Sequence, residues 1–406
     1  MSRVLFVAPA VPRPTGSGLR MRGWLFLQAL ARNHRVTLVA GSPAFPDESA
    51  EMLEELGDLV EDVVLLRFRA ARDPVLLLRR AATGLARSRK LPFDLTVPTP
   101  RMRAQLSRLQ RRQFASVHVF RLYMVPAALA ALGERPSVPL ELDLDDWESH
   151  TRRGFAAVAG RRESKRRSAL LREVAMFEQL EETWLPRFTR VFVCSQDDAV
   201  ALAFRHGLNS VFVVPNAVAV PEALPPATDT TPAQLLFVGS LGYYVNEDAV
   251  CFLLDEVLPQ LRTIAPRPFQ LVVAGVGASK RLQRRLRAEA DVVWVDSPSA
   301  VGPLYQRATA ALAPLRAGGG TRVKAIEAFA QGRPLVATAA AVAGLGVVPG
   351  VHYLPAEDGT DWVQVLRTLL ETPANAADIA AAAYAWVHDR SLEKTVNDVA
   401  NMVLPQ

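Results

Sequence analysis

The densest set of residues able to do chemistry is Ala-Gly-Gly-Gly-Thr-Arg-Val-Lys-Ala-Ile-Glu at 317–327. Three glycines lead into a predicted helix over Thr321–Gln331, so Gly318, Gly319 and Gly320 can bring backbone amides up to a ligand at its start. Thr321 suits the cap, and Val323, Ile326 and Ala330 form the buried stripe. Arg322 and Lys324 then fall in the first turn, where a cation opposes the helix dipole. An anion seated on that helix end resolves the conflict, and phosphate is the natural candidate. The spacing is not that of a Walker loop. Glu327 follows Lys324 by one turn, which also suits a surface ion pair at i,i+3.

Other constellations are less specific. Gly16 and Gly18 lie in Pro-Thr-Gly-Ser-Gly between the first predicted strand and helix, a ligand loop or an ordinary turn. Gly239-Ser240-Leu241-Gly242 follows a strand in the same way, and Gly275-Val-Gly277 reads as a structural turn. Asp143-Leu-Asp145-Asp146-Trp-Glu148 closes another strand, and such carboxylates suit a metal, a general base or a solvated loop. His118 lies inside a strand and reads as a buried structural histidine. No nucleophile triad can be assembled from the spacing.

The elements that must carry these residues alternate. Strands are predicted at Arg3–Ala8, Arg35–Ala40, Asp62–Phe68, Ser116–Phe120, Leu140–Leu144, Arg190–Cys194 and Val211–Val214. Helices are predicted at Leu19–Ala31 and Arg162–Trp184. Five prolines between Pro215 and Pro232 mark a linker. Beyond it strands recur at Gln234–Val238, Phe269–Ala274, Val292–Val295, Ala310–Ala313 and Pro334–Ala337. The helices between them are predicted at Asn246–Ile264, Lys280–Ala288, Val301–Arg307 and Thr321–Gln331. Alternation of this kind makes parallel sheets that bind ligands at the carboxyl ends of their strands. The expectation is an α/β protein of two tandem Rossmann-like, doubly wound domains facing across a cleft. Its parts are a domain over 1–215, a linker over 216–232, a second domain over 233–385, and a C-terminal helix at 386–406 expected to pack back on the first domain.

Composition agrees with a folded protein: 406 residues, 50% hydrophobic and 22% charged. Two cysteines, Cys194 and Cys251, rule out a disulfide framework and a cysteine-based zinc cluster, which fits a reducing, cytoplasmic setting. The start, MSRVLFVAPAVPRP, lacks the pattern of a signal peptide, and no apolar run reaches the ~18 residues of a membrane span. The net charge of +6 divides into +9 over residues 1–215 and −3 over residues 216–406. Zinc-finger, RNP and basic-zipper patterns are missing, so nucleic acid is not the expected partner. Basic residues mixed with apolar ones, from Pro74 and from Arg161, fit an anionic membrane surface or a lipid-linked acceptor, with the bare alternative of a solvated face.

AGGGTRVKAIEAFAQGRPLVAT from Ala317, FVGSLGYYVNEDAVCFLLDEVLPQLR from Phe237 and VFVVPNAV from Val211 together resemble glycosyltransferase family 4, of GT-B fold. The resemblance spans essentially the whole chain. It implies a retaining transfer of sugar from a nucleoside-diphosphate sugar, bound by the C-terminal domain, to an acceptor on the N-terminal one, usually without an essential metal. Glu327 matches the second glutamate of the family's pair, implying hydrogen bonds to the donor ribose. The first glutamate's place holds Gly319, so the amides of Gly319 and Gly320 are expected to hold the sugar. Ser240 stands at the family's arginine position, which leaves Arg322 and Lys324 to supply the missing charge. The Gly16–Gly18 loop matches the loop over the donor phosphates, and Gly239, Ser240 and Thr321 complete the expected donor set. Phe120-Arg121 replaces a histidine common in the family. On the acceptor side Asp145 and Asp146 are matched, with Arg121, to the catalytic positions. A nucleotide-sugar epimerase of the same fold, a non-catalytic sugar-nucleotide binder and a metal-dependent reading of Asp143-x-Asp145 remain as alternatives.

Overall fold

The computed structural model describes residues 1–42, 54–67, 98–133, 136–159, 164–226, 230–318 and 322–403. The described residues form two compact units. Residues 1–215 and 395–403 belong to the first, and residues 216–318 and 322–394 to the second.

The first unit is built on a seven-stranded sheet, β1 (Arg3–Ala8), β2 (Arg35–Ser42), β3 (Asp62–Arg67), β4 (Ser116–Phe120), β5 (Leu140–Asp145), β6 (Arg190–Val193) and β7 (Val211–Val213), in the order β3-β2-β1-β4-β5-β6-β7. Every pairing is parallel. The central strands are buried on both faces, which is why their sequences run apolar rather than alternate. Phe68, placed in the third strand from sequence, lies outside the described residues, as does the basic segment from Pro74. The long polar helix is Ser164–Trp184, and residues 160–163 are likewise outside the description. Residues 395–403 pack here through buried Val396, Val399 and Val403. Asn33 donates to the Ala400 carbonyl (3.2 Å), and Arg190 donates to that of Met402.

The second unit holds a six-stranded parallel sheet: β8 (Ala233–Val238), β9 (Phe269–Ala274), β10 (Val292–Val295), β11 (Ala310–Ala313), β12 (Leu335–Ala337) and β13 (Leu354–Pro355), in the order β10-β9-β8-β11-β12-β13. Leu235, Phe237, Leu271, Val273 and Trp362 are among its core side chains. The helix expected at Asn246–Ile264 begins at Tyr244 and passes through a π turn at Leu253–Val257. The proline-rich stretch is fastened to this unit. Buried Arg333 donates to the Pro225 carbonyl (3.0 Å) and to that of Pro226, and Tyr384 donates to Pro221.

In each sheet the winding reverses once, between β1 and β4 and between β8 and β11. At such switch points the loops diverge and leave room for a ligand at the strands' carboxyl ends. Gly16 and Gly18 follow β1, Arg121 follows β4, Gly239 and Ser240 follow β8, and Gly318 and Arg322 follow β11.

Candidate donor and acceptor sites

In the second unit the site begins with two glycines. A Cβ on Gly275 would lie 1.8 Å from the Gly239 carbonyl oxygen, so the loops after β8 and β9 touch backbone to backbone. A Cβ on Gly239 would lie 2.8 Å from Lys324 Nζ and 2.9 Å from Asn246 Nδ2. Gly239 is thus the gap into which Lys324 reaches.

Lys324 sits on the helix Val323–Ala330, which follows the glycine segment. It is half-buried rather than on the surface, where the i,i+3 ion pair with Glu327 would place it. Its ammonium donates to Asn246 Oδ1 (2.7 Å) and lies 5.4 Å from the centre of the Phe237 ring. Burial pushes its pKa down to about 8, against the pull of Glu327 in the other direction. Asn246 uses its other end to donate to the Ser240 carbonyl (2.8 Å).

Glu327 makes no ion pair with Lys324. Its Oε2 accepts from the hydroxyl of buried Tyr305 (3.4 Å), and burial raises its pKa to about 7, opposed by Lys324 and that hydrogen bond. Arg322 is the residue that caps the helix, without a side-chain capping bond. Its guanidinium donates to the carbonyls of Gly318 (3.1 Å) and Ala343 (3.1 Å), bracing the glycine segment. Val323, expected in the buried stripe, is half-buried, whereas Ala325, Ile326, Ala328, Phe329 and Ala330 are buried. Gly319, Gly320 and Thr321 lie outside the described residues.

In the first unit the carboxylates after β5 are not solvated. Arg121 reaches Asp145 (2.6 Å), Asp146 and Glu148 (3.3 Å) with its two terminal nitrogens. Arg22, fully buried, makes a forked pair with Asp143 (2.7 and 2.8 Å) and lies 3.6 Å from Asp145. Arg121 and Asp145 both hold left-handed backbone, at φ 72° and 63°. Such strain persists only where surroundings impose it. Here the Arg121 amide donates to the Asp143 carbonyl (2.7 Å), and the Cys194 amide to that of Asp145 (2.7 Å). The three assigned residues are therefore one unit, in which burial raises the Asp145 pKa while Arg121 draws that of Asp146 below the usual range. Burial also takes Glu148 up to about 7. Gly16 takes φ 106°, and Gly18 starts the helix Gly18–Asn33. His118 is buried and stacks on Phe26 at 4.7 Å.

Arg22, Asn246 and Tyr305 were not singled out from the sequence. Arg22 alone left a signal, a cation on the same helical stripe as Leu25, Phe26 and Ala29. The others are joined to their partners across 78 and 22 residues, which spacing does not show.

Residues 232–372 match the family described as glycosyl transferases group 1. No curated protein matches the chain. Among solved structures, sucrose-phosphate synthase from Thermosynechococcus elongatus aligns over 99% of this chain and 98% of its own, at 15% identity and a TM-score of 0.69. HepE of Anabaena, in complex with UDP and glucose, aligns over 99% of both chains at 13% identity and 0.63. The E. coli structure titled trehalose-6-phosphate, bound with UDP-2-fluoro glucose, aligns over 100% of both at 12% and 0.63. At these identities the likeness is one of fold, and it extends from end to end. The two parallel sheets are those of the GT-B fold, and the likeness to the glycosyl transferases group 1 family lies in residues 232–372 of the second unit.

Proposed function

We propose that the protein is a glycosyltransferase that moves a sugar from a nucleoside-diphosphate sugar to an acceptor hydroxyl with retention of configuration. The observation that carries the reading is the half-buried ammonium of Lys324, held beside the Gly239 loop at the switch point of the second sheet. A cation kept partly from water at that place fits a diphosphate. Glu327, one turn on, would accept from the ribose hydroxyls. Gly319, Gly320 and Thr321 would offer amides and a hydroxyl to the donor.

In the reaction the acceptor oxygen bonds to the anomeric carbon as the bond from that carbon to the diphosphate oxygen breaks. The acceptor's proton passes to the leaving diphosphate on the same face. The Arg121–Asp145–Asp146 unit would orient the acceptor. UDP is the first nucleotide to try, because the HepE and E. coli structures hold UDP or a UDP-sugar. The first unit's charge fits a lipid-linked or membrane-surface acceptor.

A panel of nucleotide sugars read by thermal shift tests the donor, since a bound ligand raises stability by mass action. Failure of every nucleoside diphosphate to shift the melt would overturn the reading. With Lys324 meeting the diphosphate charge, turnover should survive EDTA. Loss of turnover restored by magnesium or manganese would point to a metal-assisted leaving group instead.

A further inference from the structure

We propose that Asn246 is the positioning residue of the diphosphate site, its amide joining the Lys324 ammonium to the glycine loop so that both are presented to the same phosphate group. The inference rests on the nucleotide-sugar reading above. Asn246 is 5% exposed at the start of the helix Tyr244–Phe252. Its Oδ1 takes the Lys324 ammonium at 2.7 Å and its Nδ2 gives to the Ser240 carbonyl at 2.8 Å. One planar group thereby fixes a cation from the helix after β11 and the loop after β8, residues 78 positions apart in sequence.

The chemical identity of the amide matters. An ammonium has three donors and no acceptor, and Asn246 occupies one of them. Because the amide is neutral, it orients the cation without cancelling its charge. A carboxylate in its place would hold Lys324 at least as firmly but would neutralise it and repel an anion. The charged or titratable groups around the ammonium are Arg322 and Glu327 on its own helix, with Tyr305 behind Glu327.

The experiment follows from that distinction. The chain has five lysines, Lys90, Lys165, Lys280, Lys324 and Lys394, so side-chain NMR of lysine-labelled protein gives few signals. Lys324→Arg assigns the relevant one. Asn246→Asp should move the Lys324 titration to higher pH, and Asn246→Ala to lower pH. Calorimetry with UDP and GDP should show the Asp variant binding about ten- to a hundredfold more weakly, despite its firmer hold on the lysine. Both variants lose the donor to the Ser240 carbonyl, so if Asn246 only braced the fold, Asp would bind no more weakly than Ala, and the proposal fails. It also fails if neither folded variant moves the Lys324 titration. If the titration moves as expected but wild-type protein binds neither diphosphate, the pairing stands and the donor reading is the part that falls.

Discussion

Lys324 carries its charge part-way into the protein, with its ammonium 5.4 Å from the centre of the Phe237 ring. Replacing it with alanine would remove packing as well as charge. Lys324→Met keeps most of the stem and is the cleaner change. A charge-assisted hydrogen bond contributes about 1.5–3 kcal/mol. At about 1.4 kcal/mol per tenfold, the Met variant should bind nucleoside diphosphate roughly ten- to a hundredfold more weakly by calorimetry. Binding as tight as wild type would remove Lys324 from the site. The ammonium is charged below its value of about 8, so wild-type affinity should fall as pH rises past that value. Glu148 gives a second residue-level test. Its carboxyl is raised from 4.5 to about 7 by burial. The protonated form is the one the fold favours. Its contribution is complete below the unfolded value and is lost as pH rises through about 7. Between pH 5 and 7.5 part of the stability should therefore decline, and Glu148→Gln should flatten that slope in urea midpoints. A slope unchanged in the Gln variant would assign the decline to other groups, such as Glu327.

The loops after β8 and β9 separate folding from binding. A Cβ at Gly275 meets backbone at 1.8 Å, and at φ 152°. Gly275→Ala must push the two loops apart, so it should unfold the second unit or lower its melting point by several degrees. A Cβ at Gly239 meets the ends of Lys324 and Asn246 instead. Those side chains can swing away, so Gly239→Ala should melt near wild type yet lose donor affinity. The reverse pattern, intact binding with a collapsed melt for Gly239→Ala, would contradict this geometry. The same loops show how far the sequence could be read. Gly239 and Gly275 stood out because glycines after strands punctuate it, and the alternation of strands and helices was legible in both sheets except at β13, whose two residues are too few to show a period. Whether Lys324 was exposed was not legible, because Asn246 and Phe237 bury it from another part of the chain. The carboxylates after β5 read equally as metal ligands, a base or a solvated loop. Only the fold brings Arg22 within reach of Asp143, 121 residues away.

At the scale of the whole molecule charge is the unevenly distributed quantity, +9 over residues 1–215 against −3 beyond. No helix among the described residues is long and apolar enough to cross a membrane. The first unit nevertheless shows water an apolar pair one helical turn apart, Val200 at 60% and Phe204 at 92% exposure on the helix Gln196–His206. An apolar side chain displayed so fully on a basic unit suits shallow insertion at an anionic lipid surface, where each nearby cation contributes about 1 kcal/mol. Vesicles containing phosphatidylglycerol should therefore sediment the protein at low salt, and neutral vesicles should not. Raising the ionic strength from about 0.01 M to 0.15 M shortens the screening length from about 30 Å to about 8 Å and should release most of it. Phe204→Asp should weaken the remaining binding at a fixed salt concentration without altering nucleoside diphosphate affinity, which depends on Lys324 in the other unit. Equal sedimentation of wild type and variant would leave charge alone as the cause, and no sedimentation at low salt would remove the membrane from the list of partners.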